Sequence, residues 1–283
     1  MARAANSKVA SRRASSAAAK PVTGAKSARQ SRGGRAAAPA VAAPVASARG
    51  ALSTLRALGN AGAAQFAARF FKTGKGQYGE GDQFLGIRVP VLRSVARDFR
   101  DAGVEVALPL LKSGWHEVRA VGLLLLVRLY QRGDEPTRKR IYALYLKSTR
   151  FINGWDLVDM SAEHIVGAWL AGKPAERRRV LGRLAKSTSL WERRIAVLAT
   201  FYYIKKGEYT ETMRVARLLL NDEEDLIQKA VGWMLREVGK RIGEDKEELF
   251  LKRHYRQMPR TMLRYAIERF AEPKRKRYLM GLV

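Results

Sequence analysis

The chain contains no cysteine. Without thiols there is no disulfide framework, no zinc ribbon and no thiolate-held iron–sulfur cluster. Histidine is nearly as scarce. His116, His164 and His254 lie far apart and form neither an HExxH pair nor any other close ligand spacing, so no metal is expected and each reads as a satisfied or exposed helix residue. Long apolar runs are missing too: the longest, Ala120 to Val127 (AVGLLLLV), falls well short of the roughly 20 residues that cross a bilayer. The N-terminus lacks the continuous apolar segment of a secretory signal. A soluble, unexported protein with no membrane partner is therefore expected. β-Branched residues in alternation, the mark of strands, hardly occur beyond residue 50.

Negative charge is the next scarcity. Asp and Glu number 26 against 54 Lys and Arg, a net charge of +28 that predicts attraction to polyanions, nucleic acid first. Residues 1–50 hold ten of the cations, no acid and no aromatic side chain among long stretches of Ala, Ser, Gly and Pro. Such a segment cannot bury enough apolar surface to offset its ordering entropy, and a disordered basic tail is expected there. It reads as a solvated extension, as a non-specific tether to phosphates, or, being Arg-, Ser- and Ala-rich, as an organelle transit peptide.

Residues 51–283 have helical periodicity punctuated by Gly, Asn and Pro, which predicts an all-α domain. The helical pieces repeat. HEVRAVGLLLLVRLY, WDLVDMSAEHIVGAW, WERRIAVLATFYYIK, DLIQKAVGWMLREVG and RTMLRYAIERF each precede a second helix, the last of them being the doubtful case. Their apolar faces align Arg119, Asp159, Arg194, Lys229 and Arg264 at one position, in steps of 40, 35, 35 and 35 residues. A period in this range marks an α-α superhelix of HEAT-like repeats, a solenoid whose pairs stack over a shared core. Four of the five equivalent positions are cations, suited to a phosphate backbone along a concave groove. Asp159 is the single acid among them. It either pairs with Arg194 to join two repeats or does chemistry, and the two roles are compatible.

The motifs GQYGEGDQFLGIRVPVLR (Gly76 to Arg93), WDLVD (Trp155 to Asp159), WERRIAV (Trp191 to Val197) and IQKAVGWMLREVGK (Ile227 to Lys240) resemble those of the DNA alkylation repair enzymes of the AlkD type, HEAT-like-repeat glycosylases that excise alkylated purines. The resemblance spans about residues 52–280, in the family's order. It implies that Asp159 is the catalytic carboxylate, that Trp155 and Trp233 face the lesion, and that Arg194 is the groove arginine. Arg119, Arg194, Lys229 and Arg264 are assigned to phosphate contacts. No metal or cofactor is implied, and the expected partner is double-stranded DNA carrying alkylated purines, bound by a monomer.

The chemistry asks for these residue types. A purine alkylated at N3 or N7 is already cationic and leaves readily. What remains is to stabilise an oxocarbenium-like sugar and bring water to its anomeric carbon, which a positioned carboxylate can do. Indole faces attract a cationic base by cation–π interaction. Trp115, Trp169 and Trp191 read as core. GKGQYGEG (Gly74 to Gly81) lacks the ending of a phosphate-binding P-loop and follows a helix, so it reads as a connecting loop. The expected function is a monofunctional alkylpurine glycosylase, cytoplasmic and associated with the bacterial nucleoid, organelle import being the reserve. The alternatives are a non-catalytic HEAT-like nucleic-acid-binding protein and a HEAT-type protein scaffold.

Overall fold

Apolar side chains three and four residues apart give each segment one stripe to bury, and the segments meet that need by pairing. The computed structural model describes residues 47–283, and no strand is present among them. The helices α1 (Ala48–Ala57) and α2 (Ala61–Phe70) are followed by α3 (Val89–Asp98) and α4 (Val104–Leu111), then α5 (His116–Arg132) and α6 (Glu135–Lys147). Next come α7 (Trp155–Asp159) and α8 (Pro174–Ala185), α9 (Leu190–Ala199) running into α10 (Phe201–Ile204), and α11 (Thr210–Leu218). The chain closes with α12 (Asp225–Arg241) and α13 (Glu244–His254), then α14 (Arg260–Ala266) and α15 (Glu272–Met280). The last motif therefore has its second helix.

First helices pack in series, α9 between α7 and α12 and α12 against α14, while in the second layer α8 meets α11. One continuous apolar core runs between the layers. Each row buries its stripe only against its neighbours, which is the physical content of a HEAT-like solenoid. The rows approach closely where a side chain is missing. A Cβ at Gly232 on α12 would stand 2.4 Å from the Met262 carbonyl oxygen on α14, a separation only glycine permits.

Two expectations need correction. The helical body begins three residues ahead of the expected boundary. Ser47 caps α1 by accepting from the Gly50 amide at 3.1 Å, and Ala51 and Leu55 are fully buried. The remaining tail, residues 1–46, lies outside the described residues. The second correction concerns the row opened by WDLVD, which is not one regular helix. α7 ends at Asp159, and a π-helical turn follows over Glu163–Gly167. Ser161 donates to the Leu157 carbonyl at 2.6 Å, and Tyr203 donates to that of Gly167 at 3.0 Å. Side-chain donors that take main-chain carbonyls compete with the regular ladder, and π-turns accommodate the result.

Candidate active site

α7 starts where Gly154, in extended conformation, turns the chain into the helix. Trp155 is its first residue, and Asp159, one turn on, projects from the same side. The Asp159 side chain keeps 20% of its surface exposed. Arg194 on α9 grips it bidentately, with Nε donating to Oδ1 at 2.9 Å and Nη2 to Oδ2 at 2.8 Å. The third guanidinium nitrogen, Nη1, donates to the Leu226 carbonyl on α12 at 2.6 Å. One side chain thus staples three rows and fixes the carboxylate's orientation. Burial pushes the Asp159 carboxyl above the ordinary carboxylate range, Arg194 pulls it down, and Asp156 adds a smaller push upward.

Asp159 and Trp155 border a cleft of about 670 Å3 that also reaches Arg194, Lys229 and Trp233. The loop between α2 and α3 closes it on one side through Lys72 and Tyr78, and Tyr265 of α14 on the other. Phe71 stacks on one face of Trp155 at 5.4 Å, with Phe70 edge-on at 6.1 Å. Trp233 leans on Phe201 at 5.9 Å. Burial raises the Tyr78 hydroxyl pKa, and the neighbouring Trp155 indole works in the opposite direction. Asp159 is not the only acid here. Glu224 and Asp225 also line the cleft, and Lys229 pairs with Asp225 at 2.6 Å.

The five aligned positions therefore do not form one ladder of free cations. Arg119 is buried: its Nη2 contacts both Asp82 oxygens at 2.7 and 2.8 Å, and its Nη1 donates to the Ser113 and Gly114 carbonyls. The guanidinium faces the interior and its outer nitrogens are engaged there, which is not the open position expected of a phosphate contact. Arg194 is engaged in the same way, all three of its nitrogens serving Asp159 and Leu226. Lys229 borders the cleft, half-paired. Arg264 is exposed and lines an adjoining hollow of about 460 Å3 that shares Asp225, Lys229 and Tyr265 with the cleft. Of the remaining tryptophans, Trp169 is buried, whereas Trp115 and Trp191 are partly exposed and pack against the core.

Sequence reasoning missed the buried group behind Trp155. The His116 imidazole lies between two carboxylates, with Nδ1 to Asp82 at 2.7 Å and Nε2 to Asp156 at 2.9 Å. Burial alone would depress its pKa, but the hydrogen bonds to Asp156 and Asp82 outweigh that and raise it to about 9. Both nitrogens then donate, and the ring stacks on Phe84 at 4.6 Å. Glu117, next in sequence, accepts from the Leu85, Gly86 and Ile87 amides. The first turn of α5 is thus a polar knot that ties down the loop holding Phe71 and Tyr78. The only signal was the spacing of Asp82, His116 and Asp156, 34 and 40 residues, close to the repeat period.

With the geometry in hand, comparison with known proteins adds two findings. A family model described as DNA alkylation repair enzyme matches residues 51–270. Among solved structures, that of a predicted DNA alkylation repair enzyme from Enterococcus faecalis is similar, with a TM-score of 0.59 and 19% identity over 76% of this chain and 97% of that one. At that identity the likeness speaks for the fold alone. No curated protein matches the sequence.

Proposed function

This chain belongs to the DNA alkylation repair enzyme family, and from that premise we propose that it is a glycosylase hydrolysing the N-glycosidic bond of cationic N3- and N7-alkylated purines in duplex DNA. The observation that carries the reading is the carboxylate of Asp159, held rigid by Arg194 yet open to a cleft bordered by Trp155 and Trp233. Arg194 takes one hydrogen-bonding direction of each carboxylate oxygen and leaves others for a water or the sugar. As the bond breaks, positive charge grows on the sugar opposite a fixed negative group. In a medium of intermediate dielectric that attraction is worth about 4 kcal/mol at 4 Å, roughly a thousand-fold in rate. The same carboxylate orients the attacking water.

The indoles add selectivity. A cationic base beside Trp155 or Trp233 gains about 0.5–2 kcal/mol that a neutral base does not. Phe71 covers one face of Trp155, so the ring is fixed before any ligand arrives. Lys229 and Arg264 supply phosphate contacts along the cleft and its adjoining hollow, and Arg194 is a positioning residue. No helix among the described residues is long and apolar enough to cross a membrane, and a duplex substrate fits the proposed association with the nucleoid.

The rival is a binder that holds DNA without cutting. It draws on the way Arg194 bridges three rows, which would serve assembly alone. Incubation of the full chain with N-methylated duplex separates them: free N7-methylguanine and matching abasic sites are expected, and retained binding with neither product supports the binder.

A further inference from the structure

The layer of second helices carries a hollow of its own. α8, α11 and α13 border an open hollow of about 310 Å3 that shares no lining residue with the cleft. Arg178, Arg214, Arg217, Lys246 and Arg253 line it, and no acid does. Glu211 pairs with Arg214 and Asp245 with Lys246. Arg178, Arg217 and Arg253 are exposed and have no acidic partner among the described residues. His254 stands among them with its Nδ1 buried and without a hydrogen bond.

Such an arrangement is unsatisfied as it stands. Three exposed guanidinium groups converge on one hollow without a carboxylate to balance them, and a buried ring nitrogen lacks its partner. Burial, then Arg217 and Arg253, keep the His254 pKa below the ordinary value. A phosphate in the hollow accepts from the guanidinium forks, and its charge favours the protonated imidazole beside them. Beside the cations lie Met213, Phe250, on which the His254 ring packs at 4.6 Å, and Leu249, which is 53% exposed. A bare anion has no use for that apolar floor, whereas a phosphate attached to a sugar and base rests on it. The volume is at the small end of ligand sites, roughly 300 Å3.

We propose that this hollow is a second nucleotide-phosphate site, on the opposite layer of the fold from the cleft and independent of the chemistry assigned there. The phosphate comes either from a free nucleotide or from a strand of nucleic acid, and the test distinguishes them.

With only three histidines in the chain, the His254 imidazole is a direct reporter by NMR, assigned through His254→Gln. The full chain is titrated with inorganic phosphate, with deoxyadenosine monophosphate and with a short deoxythymidylate single strand. The His254 ring signal is expected to move saturably with all three, least tightly for inorganic phosphate. The exposed double substitution Arg217→Gln/Arg253→Gln weakens half-saturation by about ten-fold or more, and the cleft-side change Arg264→Gln leaves it unaltered. Tighter binding of the strand than of the mononucleotide assigns the site to nucleic acid, and equal binding assigns it to the free nucleotide. A His254 signal that moves with neither nucleotide probe, or moves equally in the double variant, overturns the proposal.

Discussion

At the scale of single residues, the site turns on how Arg194 divides its three nitrogens. Two hold Asp159 and one holds the Leu226 carbonyl, so the side chain governs both where the carboxylate points and how readily it ionises. Burial already raises the Asp159 pKa, and Arg194 is the main force opposing that rise. Arg194→Gln removes the opposing charge, and the carboxyl pKa climbs further. The ionised fraction at a given pH falls, so the acid limb of the excision rate against pH moves to higher pH, and folding stability drops by about 3 kcal/mol for the stranded buried charge. A pH–rate profile beside a denaturant titration checks both, and a limb that stays in place removes Arg194 from control of Asp159. Arg119 makes the complementary point. It occupies the aligned position but turns inward to Asp82, because the loop before α5 supplies a buried carboxylate there.

At the scale of elements, α13 packs a carboxyl into the core. Glu247 is 2% exposed with Oε1 unpartnered, and burial, reinforced by Glu244, raises its pKa to about 9. The folded state therefore keeps a proton that the unfolded chain, with its ordinary value of 4.5, releases. Stability falls as pH rises through that interval, and Glu247→Gln removes the loss. Thermal melts of the variant are expected to show a gain of about 4 kcal/mol near pH 7.5 and less than about 1 kcal/mol near pH 5. A gain independent of pH contradicts this account of Glu247. Much of the layout of helices was legible, because apolar stripes and a 35-residue step are local signals: Asp159 and Arg194, one step apart, do pair. The π-turn after Asp159 was not, since it depends on Ser161 and Tyr203 competing for carbonyls. Nor were Phe71 and Tyr78, which sit on a loop without periodicity, or His116, whose two carboxylates come from other rows. Side chains fastened across rows leave no trace in the spacing of their own helix.

At the scale of the whole molecule, a charge of +28 favours polyanions such as DNA, and the proposed function assigns the specific phosphate contacts to cations that face the cleft. In binding isotherms at several salt concentrations, Lys229→Gln and Arg264→Gln should each lower the log–log salt slope by roughly 0.9, while Arg119→Gln lowers stability and leaves the slope unchanged. A changed slope for Arg119→Gln, or none for Lys229→Gln and Arg264→Gln, contradicts the assignment. The central claim is that one fixed carboxylate faces a sugar turning cationic within this positive surface. Its most direct test is single-turnover release of N7-methylguanine from saturated duplex by the natural chain and by Asp159→Asn, with DNA affinity measured in parallel. The account predicts roughly a thousand-fold slower release with affinity equal or slightly tighter; equal release by the two proteins would contradict it.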